Sequence, residues 1–369
     1  MNPPVTVVVI QSLSYTGTTW LNLVLGSHKD AFALGPCDRP FSLDVSKAAE
    51  ACRVHGAECA FWPEFYRTLG NKNFFVHLSR VSGKRVIVTN NPLPNGAGRA
   101  LNHPDIVVKP IDLVRDGRGV AWSYAHKHPN ESFFDGVKNW LTPAMEGMEC
   151  DPGSSDRLFL RYEDILADQV GMLSNVGRFV GLEYDDSALR FWEHDHHAAA
   201  GNAGPVFMIK LHQGLPLPGF ARDREFYQEQ YDKARANPEH QFESERWRLQ
   251  LTPRELFVFE YFCGRVNAKL GYEPSRFTLE EVREFSAELK LALELPPEDE
   301  VPSRDRATPS RAADHHAVAA SAIDASGTMS AHQYEQPVGV KPRIAAIAVV
   351  VFALAIGLVS IMAATGVFG

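Results

Sequence analysis

Over the first 295 residues, short runs of apolar and β-branched residues alternate with stretches whose apolar positions recur every three to four residues. Residues 5–10 (VTVVVI), 85–89 (RVIVT), Ile106–Val114 (IVVKPIDLV) and 157–161 (RLFLR) are continuous or nearly continuous apolar runs. Such runs suit parallel strands covered on both faces, because a strand with one wet face alternates apolar with polar positions. Helical periods follow them at 18–28, Gly117–Lys127 and 164–180. This order predicts an α/β fold, a three-layer parallel sheet with helices on both sides. Farther along, Thr252-Pro253-Arg254-Glu255 reads as a capping box with proline at the first helical position, and Gly271 closes the helix it opens. Leu279, Val282, Phe285, Leu289 and Leu293 make one stripe over 278–295, which predicts an amphipathic helix packed on the domain.

The pattern then changes twice. Residues 296–342 are rich in Ala, Ser, Pro and His, carry one aromatic residue (Tyr334) and show no apolar period. That composition buries too little surface to offset the entropy of ordering, so the segment is predicted to be a disordered tether, and His315 and His316 are predicted to be a solvated pair within it. From Ile344 to Ala364 the chain runs without a charged side chain. At about 1.5 Å per residue such a helix spans roughly 30 Å, the thickness of a bilayer's hydrocarbon core. The predicted organisation is therefore a folded domain at 1–295, a tether at 296–342, a transmembrane helix at 343–364 and a short tail at 365–369. Lys341 and Arg343 flank the apolar run on its N-terminal side and no positive charge follows. The positive-inside rule accordingly places the folded body on the cytoplasmic side of a single-pass, tail-anchored protein. Residues 1–4 carry no Lys or Arg, and the run at 5–10 is too short for a signal peptide.

Composition narrows the function classes. With 45% hydrophobic and 22% charged residues the chain is neither disordered throughout nor collagen-like, and 37 Lys and Arg against 45 Asp and Glu give a net charge of -8. A nucleic-acid partner is not expected, since covering phosphates needs clustered excess positive charge. The five cysteines are an odd number, and a cytoplasmic setting disfavours structural disulfides. Cys37, Cys52, His55 and Cys59 offer zinc-ligand types at short spacing; the alternative is a set of reduced thiols packed around Phe61 and Trp62.

The candidate chemistry begins where the first strand ends. Gln11-Ser12-Leu13-Ser14-Tyr15-Thr16-Gly17-Thr18-Thr19-Trp20 joins strand to helix through a tight turn. Such a turn aims free N–H groups and the positive end of a helix dipole at one spot, which suits an anion. Gly17 lets the backbone come close, and Thr18 and Thr19 add hydroxyl donors. It reads as a phosphate-binding turn without a Walker A lysine, the alternative being a threonine that simply caps the helix. A second segment, 111–123 (IDLVRDGRGVAWS), sets Arg115 at a strand's carboxyl end and Ser123 two helical turns beyond it. Ligands of open α/β sheets sit at those carboxyl ends, so Arg115 is predicted to face the same crevice as the 16–19 loop.

Taken together, the loop and the Arg115/Ser123 pair resemble the sulfotransferases that use 3′-phosphoadenosine 5′-phosphosulfate (PAPS). The resemblance implies a P-loop-like α/β fold. It implies that Tyr15, Thr16, Gly17, Thr18 and Thr19 hold the 5′-phosphosulfate while Arg115 and Ser123 hold the 3′-phosphate. It further implies that Trp20 stacks on adenine and that Tyr162, in the Arg161-Tyr162-Glu163-Asp164 segment, lies against it. The segments 197–202 and 245–253 are similar to structural segments of bacterial-type members, with Trp247 as a packing residue. Tyr15 stands where the family usually carries Lys or Arg, so Tyr15 and Thr18 are the catalytic candidates of the loop. Asn90-Asn91-Pro92 stands where cytosolic members carry their basic His, which leaves His126, His128, Asp44 and Glu64 as candidate general bases. The implied reaction moves a sulfuryl group from PAPS to a hydroxyl, or an amine, of a lipid, glycan or small molecule and leaves adenosine 3′,5′-bisphosphate (PAP). The alternatives are a P-loop kinase and a catalytically inert nucleotide-binding membrane protein. A monomer or homodimer is expected.

Overall fold

The computed structural model describes residues 3–43, 47–48, 51–90, 95–147, 156–217, 224–238, 246–289 and 328–330. Five strands, β1 (Val5–Ser12), β2 (Ala31–Pro36), β3 (Val86–Asn90), β4 (Ile106–Val114) and β5 (Leu158–Arg161), form one sheet in the order β2-β3-β1-β4-β5. Every pairing is parallel. All five residues of β3 are buried, as are Val7 to Ile10 of β1. Successive strand residues point to opposite faces, so both faces are covered and the three layers expected from the apolar runs are present.

β2 is the strand that the apolar pattern did not predict. Its sequence, AFALGP, has no β-branched residue, and the pairing with β3 slips between Ala33 and Gly35. It is held by burial and by Asn22, whose Oδ1 accepts from Gly35 N–H at 3.2 Å while its Nδ2 donates to Val88 O at 3.0 Å. The helical period at 164–180 is also divided, into Tyr162–Ala167 and Gln169–Val180. At the break, the Asp168 carboxylate accepts from Gly171 N–H at 2.8 Å and caps the second helix. The capping box at 252–255 forms as expected: Thr252 N–H donates to Glu255 Oε2 at 2.9 Å and Glu255 N–H donates to Thr252 Oγ1 at 3.3 Å.

β1 lies centrally, with β3 and β2 on one side and β4 and β5 on the other. The chain turns to opposite sides after β1 and after β3. The carboxyl ends of β1 and β4 therefore flank a topological switch point, the usual ligand crevice of such sheets.

Two compact units are distinguished: residues 1–255 with Lys269–Tyr272, and Leu256–Ala268 with the described residues from Glu273 onward. The sheet and the candidate site belong to the first. In the second, Phe257, Phe277 and Val282 make a small core against which Phe285 packs. There β6 (Arg276–Thr278) pairs antiparallel with β7 (Thr328–Ser330), a short strand inside the segment expected to be a tether. The helix expected over 278–295 is present as Leu279–Leu289, with 290–295 outside the described residues. The remainder of the tether, the predicted membrane helix at 343–364 and the tail at 365–369 also lie outside them. Among the described residues, no helix is long and apolar enough to cross a membrane.

Candidate active site

The loop after β1 is shaped by two residues in the left-handed backbone region, Tyr15 at φ 65° and Gly17 at φ 82°. Gly17 is required twice over. It stands at the N-cap of α1 (Thr18–Gly26), and a Cβ there would meet the Tyr162 ring at 2.7 Å. Tyr15 is the only non-glycine residue with positive φ among the described residues. Strain of this kind persists where the surroundings hold it, commonly at functional sites.

A row of hydroxyls runs beneath the loop. Thr16 Oγ1 donates to Leu13 O at 2.6 Å and lies 3.0 Å from Thr18 Oγ1, which is 2.5 Å from Ser12 Oγ. Thr16 is 1% exposed and spends its proton on the loop's own carbonyl. Its side chain therefore braces the turn, where the resemblance had implied a nucleotide contact. Ser12 can donate to Thr18, which leaves the Thr18 proton to point at an anion. Thr19 Oγ1 accepts from Asn202 N–H at 2.9 Å, joining the loop to the 195–202 segment.

Arg115 follows β4 directly. Its Nη1 donates to Tyr15 O at 2.7 Å and reaches Ser123 Oγ at 3.4 Å, while its guanidinium lies 4.8 Å from the centre of the Tyr162 ring. The eight-residue spacing, two turns of the helix Gly117–Lys127, returns Ser123 to the face on which Arg115 sits. Next to it, Asp116 caps that helix by accepting from Arg118 N–H at 3.0 Å and pairs with the Arg118 side chain at 2.9 and 2.7 Å. Trp247 packs on Gly119 and lies under Arg118, as a packing residue should. Glu163 accepts from Tyr272 Oη at 2.7 Å and from Asp116 N–H at 3.2 Å, which ties the Tyr162 segment to the same loop cluster. Burial raises the Glu163 carboxyl above the usual range.

Trp20 departs from expectation. It is 2% exposed and belongs to the apolar core, so it offers no open face to adenine. The ring that lies beside both Gly17 and Arg115 is Tyr162.

One cation near the loop was missed in the sequence. Lys127 Nζ lies 4.7 Å from the centre of the Tyr15 ring. Part of its side chain is exposed, yet desolvation among the surrounding groups and, second, the Arg115 charge hold its ammonium below the ordinary lysine range. A signal for it existed: Lys127 is one helical turn beyond Ser123, on the same face. The Tyr15 hydroxyl is 2.8 Å from His128 Nε2, and burial followed by the Glu131 charge raises the phenol above its ordinary value.

Of the three candidate bases among the described residues, His128 is the one placed by a contact to the loop. His126 stacks on Trp122 at 5.1 Å, and Glu64 is exposed and held by both arms of Arg67. Asp44 lies outside the described residues, as do Asn91, Pro92 and Cys150. Asn90 is buried, with its Oδ1 3.4 Å from Asn22 Nδ2.

The candidate zinc group is changed by one member. Cys52, His55, Cys59 and His197 place their ligand atoms within 4.8 Å of one another. Cys37 is not among them. It is buried just past β2, and burial pushes its thiol up. Without a metal, the Cys52 thiol, then the His197 and His55 imidazoles, favour a thiolate at Cys59, and its pKa lies far below the ordinary thiol range.

No protein-family model matches the chain, and no curated protein matches it. The chain is similar to sulfotransferases of solved structure. The sulfotransferase domain of the Synechococcus PCC 7002 olefin synthase is 16% identical over 64% of this chain and 96% of that one, with a TM-score of 0.39. The sulfotransferase domain from the curacin biosynthetic pathway is 15% identical over 80% and 100%, with a TM-score of 0.40. Mouse sulfotransferase SULT7A1, solved with PAP, is 16% identical over 72% and 88%, with a TM-score of 0.41. These likenesses are remote.

Proposed function

We propose that the protein is a PAPS-dependent sulfotransferase. The observation that carries this is Arg115. Its one guanidinium meets the loop through Tyr15 O and the following helix through Ser123. A ligand with anionic groups at both ends of an adenosine fits that arrangement, its 5′-phosphosulfate at the turn and its 3′-phosphate on Arg115 and Ser123. The acceptor oxygen attacks sulfur, the bond from sulfur to the bridging phosphate oxygen breaks, and PAP leaves. Charge grows on that bridging oxygen, where the loop N–H groups, Thr18 and the α1 dipole converge. Lys127 supplies the positive charge that Tyr15 lacks. His128 takes the acceptor's proton, directly or through the Tyr15 hydroxyl. Lys127 also counts against an inert binder, because the loop is not without a cation.

The acceptor is assigned to a hydroxyl-bearing lipid or glycan at a membrane, on the ground of the 343–364 run. The Lys341 and Arg343 flank supports a folded body on the cytoplasmic side.

Calorimetry with PAP and AMP tests the nucleotide assignment. PAP should bind much more tightly, and Arg115→Ala should remove most of the difference, a loss of roughly 1.5–3 kcal/mol for a charge-assisted contact. Equal affinities in the unsubstituted protein would overturn the proposal in favour of a kinase.

A further inference from the structure

We propose that Cys52, His55, Cys59 and His197 form a closed structural zinc site that fastens the 51–62 segment to the loop bracing the phosphate turn. Cys52 Sγ lies 3.5 Å from His55 Nδ1, and Cys59 Sγ lies 3.4 Å from His197 Nδ1. In a tetrahedral site with Zn–S about 2.3 Å and Zn–N about 2.0–2.1 Å, neighbouring ligand atoms stand roughly 3.3–3.8 Å apart. The observed pairs therefore have the separations of ligands around one ion, before any ion is placed.

The far nitrogens of the two rings strengthen the assignment. His55 Nε2 is 3.2 Å from Asp195 Oδ1, and His197 Nε2 is 3.6 Å from Asp195 Oδ2. One carboxylate thus faces the outer edges of both imidazoles, while both inner edges face sulfur. Metal-binding histidines are commonly oriented this way, with the outer N–H held by a carboxylate. Thiols that merely fill space have no need of such an arrangement. Cys52 and Cys59 are buried, yet His197 and Asp195 also line a cavity of about 700 Å³, which gives an ion a path in.

The spacing explains what the ion would do. Cys52, His55 and Cys59 lie within eight residues, whereas His197 is 138 residues beyond Cys59. The two segments already touch: Trp62 Nε1 donates to His197 O at 2.8 Å, and Arg53 N–H donates to Ala198 O at 2.9 Å. From there the chain runs to Asn202, whose N–H holds Thr19 Oγ1. Four protein ligands leave no open position, so the role is structural and supplies no water or Lewis acid to the reaction.

The test uses the full chain in detergent, purified under reducing conditions without added metal. Elemental analysis should find about one zinc per chain. Cys59→Ser and His197→Ala should each lose nearly all of it, whereas Cys37→Ser should keep it. If the ligand variants do not fold, unsubstituted protein stripped by a chelator decides: it should take up one Zn²⁺ with a rise in melting temperature. With Co²⁺ it should show the absorption of a tetrahedral site with thiolate ligands. A chain that is isolated metal-free and takes up no Zn²⁺ overturns the proposal. So does zinc retained by folded His197→Ala, zinc lost from Cys37→Ser, or a Cys52–Cys59 disulfide in the protein as isolated. No nucleotide enters the measurement, so its outcome is separate from that of the sulfotransferase proposal.

Discussion

At the scale of single residues, the role proposed for Lys127 answers the difficulty that Tyr15 raises. A phenol donates one hydrogen bond and carries no charge, whereas a departing phosphate needs charge. Lys127 was not legible from a loop-centred motif, because it comes from a helix more than a hundred residues later and reaches the loop only through the fold. Arg115 was legible from its place at the carboxyl end of an apolar strand run, and its pairing with Ser123 from the resemblance to PAPS-using sulfotransferases. The depressed ammonium of Lys127 gives a signed expectation. Its charge is present below its folded pKa and lost as pH rises through that lowered value. Turnover should therefore fall on the alkaline side at a pH below the ordinary lysine range. Lys127→Arg, whose guanidinium stays charged, should move that limb upward, while Lys127→Met should lower kcat by about 10²–10³ with a much smaller change in PAP affinity. A kcat–pH profile unchanged by Lys127→Arg would remove the residue from the mechanism.

At the scale of elements, the sheet was readable wherever burial on both faces demanded a β-branched run. β2 escaped because small residues and a Gly-Pro end leave no such run, and its place is secured by tertiary contacts instead. Asn22 makes one of these polar contacts, beside Thr89, whose Oγ1 donates to Gly35 O at 2.9 Å. Asn22 is 1% exposed on α1, and its amide bridges β2 and β3 from within the layer between helix and sheet. Asn22→Ala should leave Gly35 N–H without its side-chain acceptor and open a small gap. The expected cost is about 1–3 kcal/mol for an unsatisfied buried group, measured as a shift in the denaturant midpoint without a change in slope. A shift under about 0.5 kcal/mol, the size usual for surface changes, would show that Asn22 does not hold β2 in place. The helix break at Asp168 shows the reverse competition. The apolar period continues through it, but a side-chain cap ends one helix and starts another, and periodicity does not register that choice.

At the scale of the whole molecule, the sequence speaks most plainly where no described residue lies. The 21-residue uncharged run at 344–364 is long enough, at about 1.5 Å per residue, to span roughly 30 Å of hydrocarbon. Leaving such a run in water would expose a large apolar surface. The full chain should accordingly sediment with membranes and resist alkaline extraction, and a chain ending at residue 295 should remain in the supernatant and still bind PAP. That second result follows because Tyr15, Thr18, Arg115, Ser123, Lys127 and Tyr162 all come from the first compact unit, within residues 1–255. Orientation is a separate matter with its own cause. Lys341 and Arg343 immediately precede the run. Retention of these charges on the cytoplasmic side predicts that protease added to sealed cells or spheroplasts spares the folded body and digests it only after lysis. Digestion in sealed cells would place the body outside and remove the cytoplasmic assignment, while leaving the anchoring result intact. A cytoplasmic body would also keep Cys52 and Cys59 in a reducing compartment, the setting in which their thiols stay available for ligation.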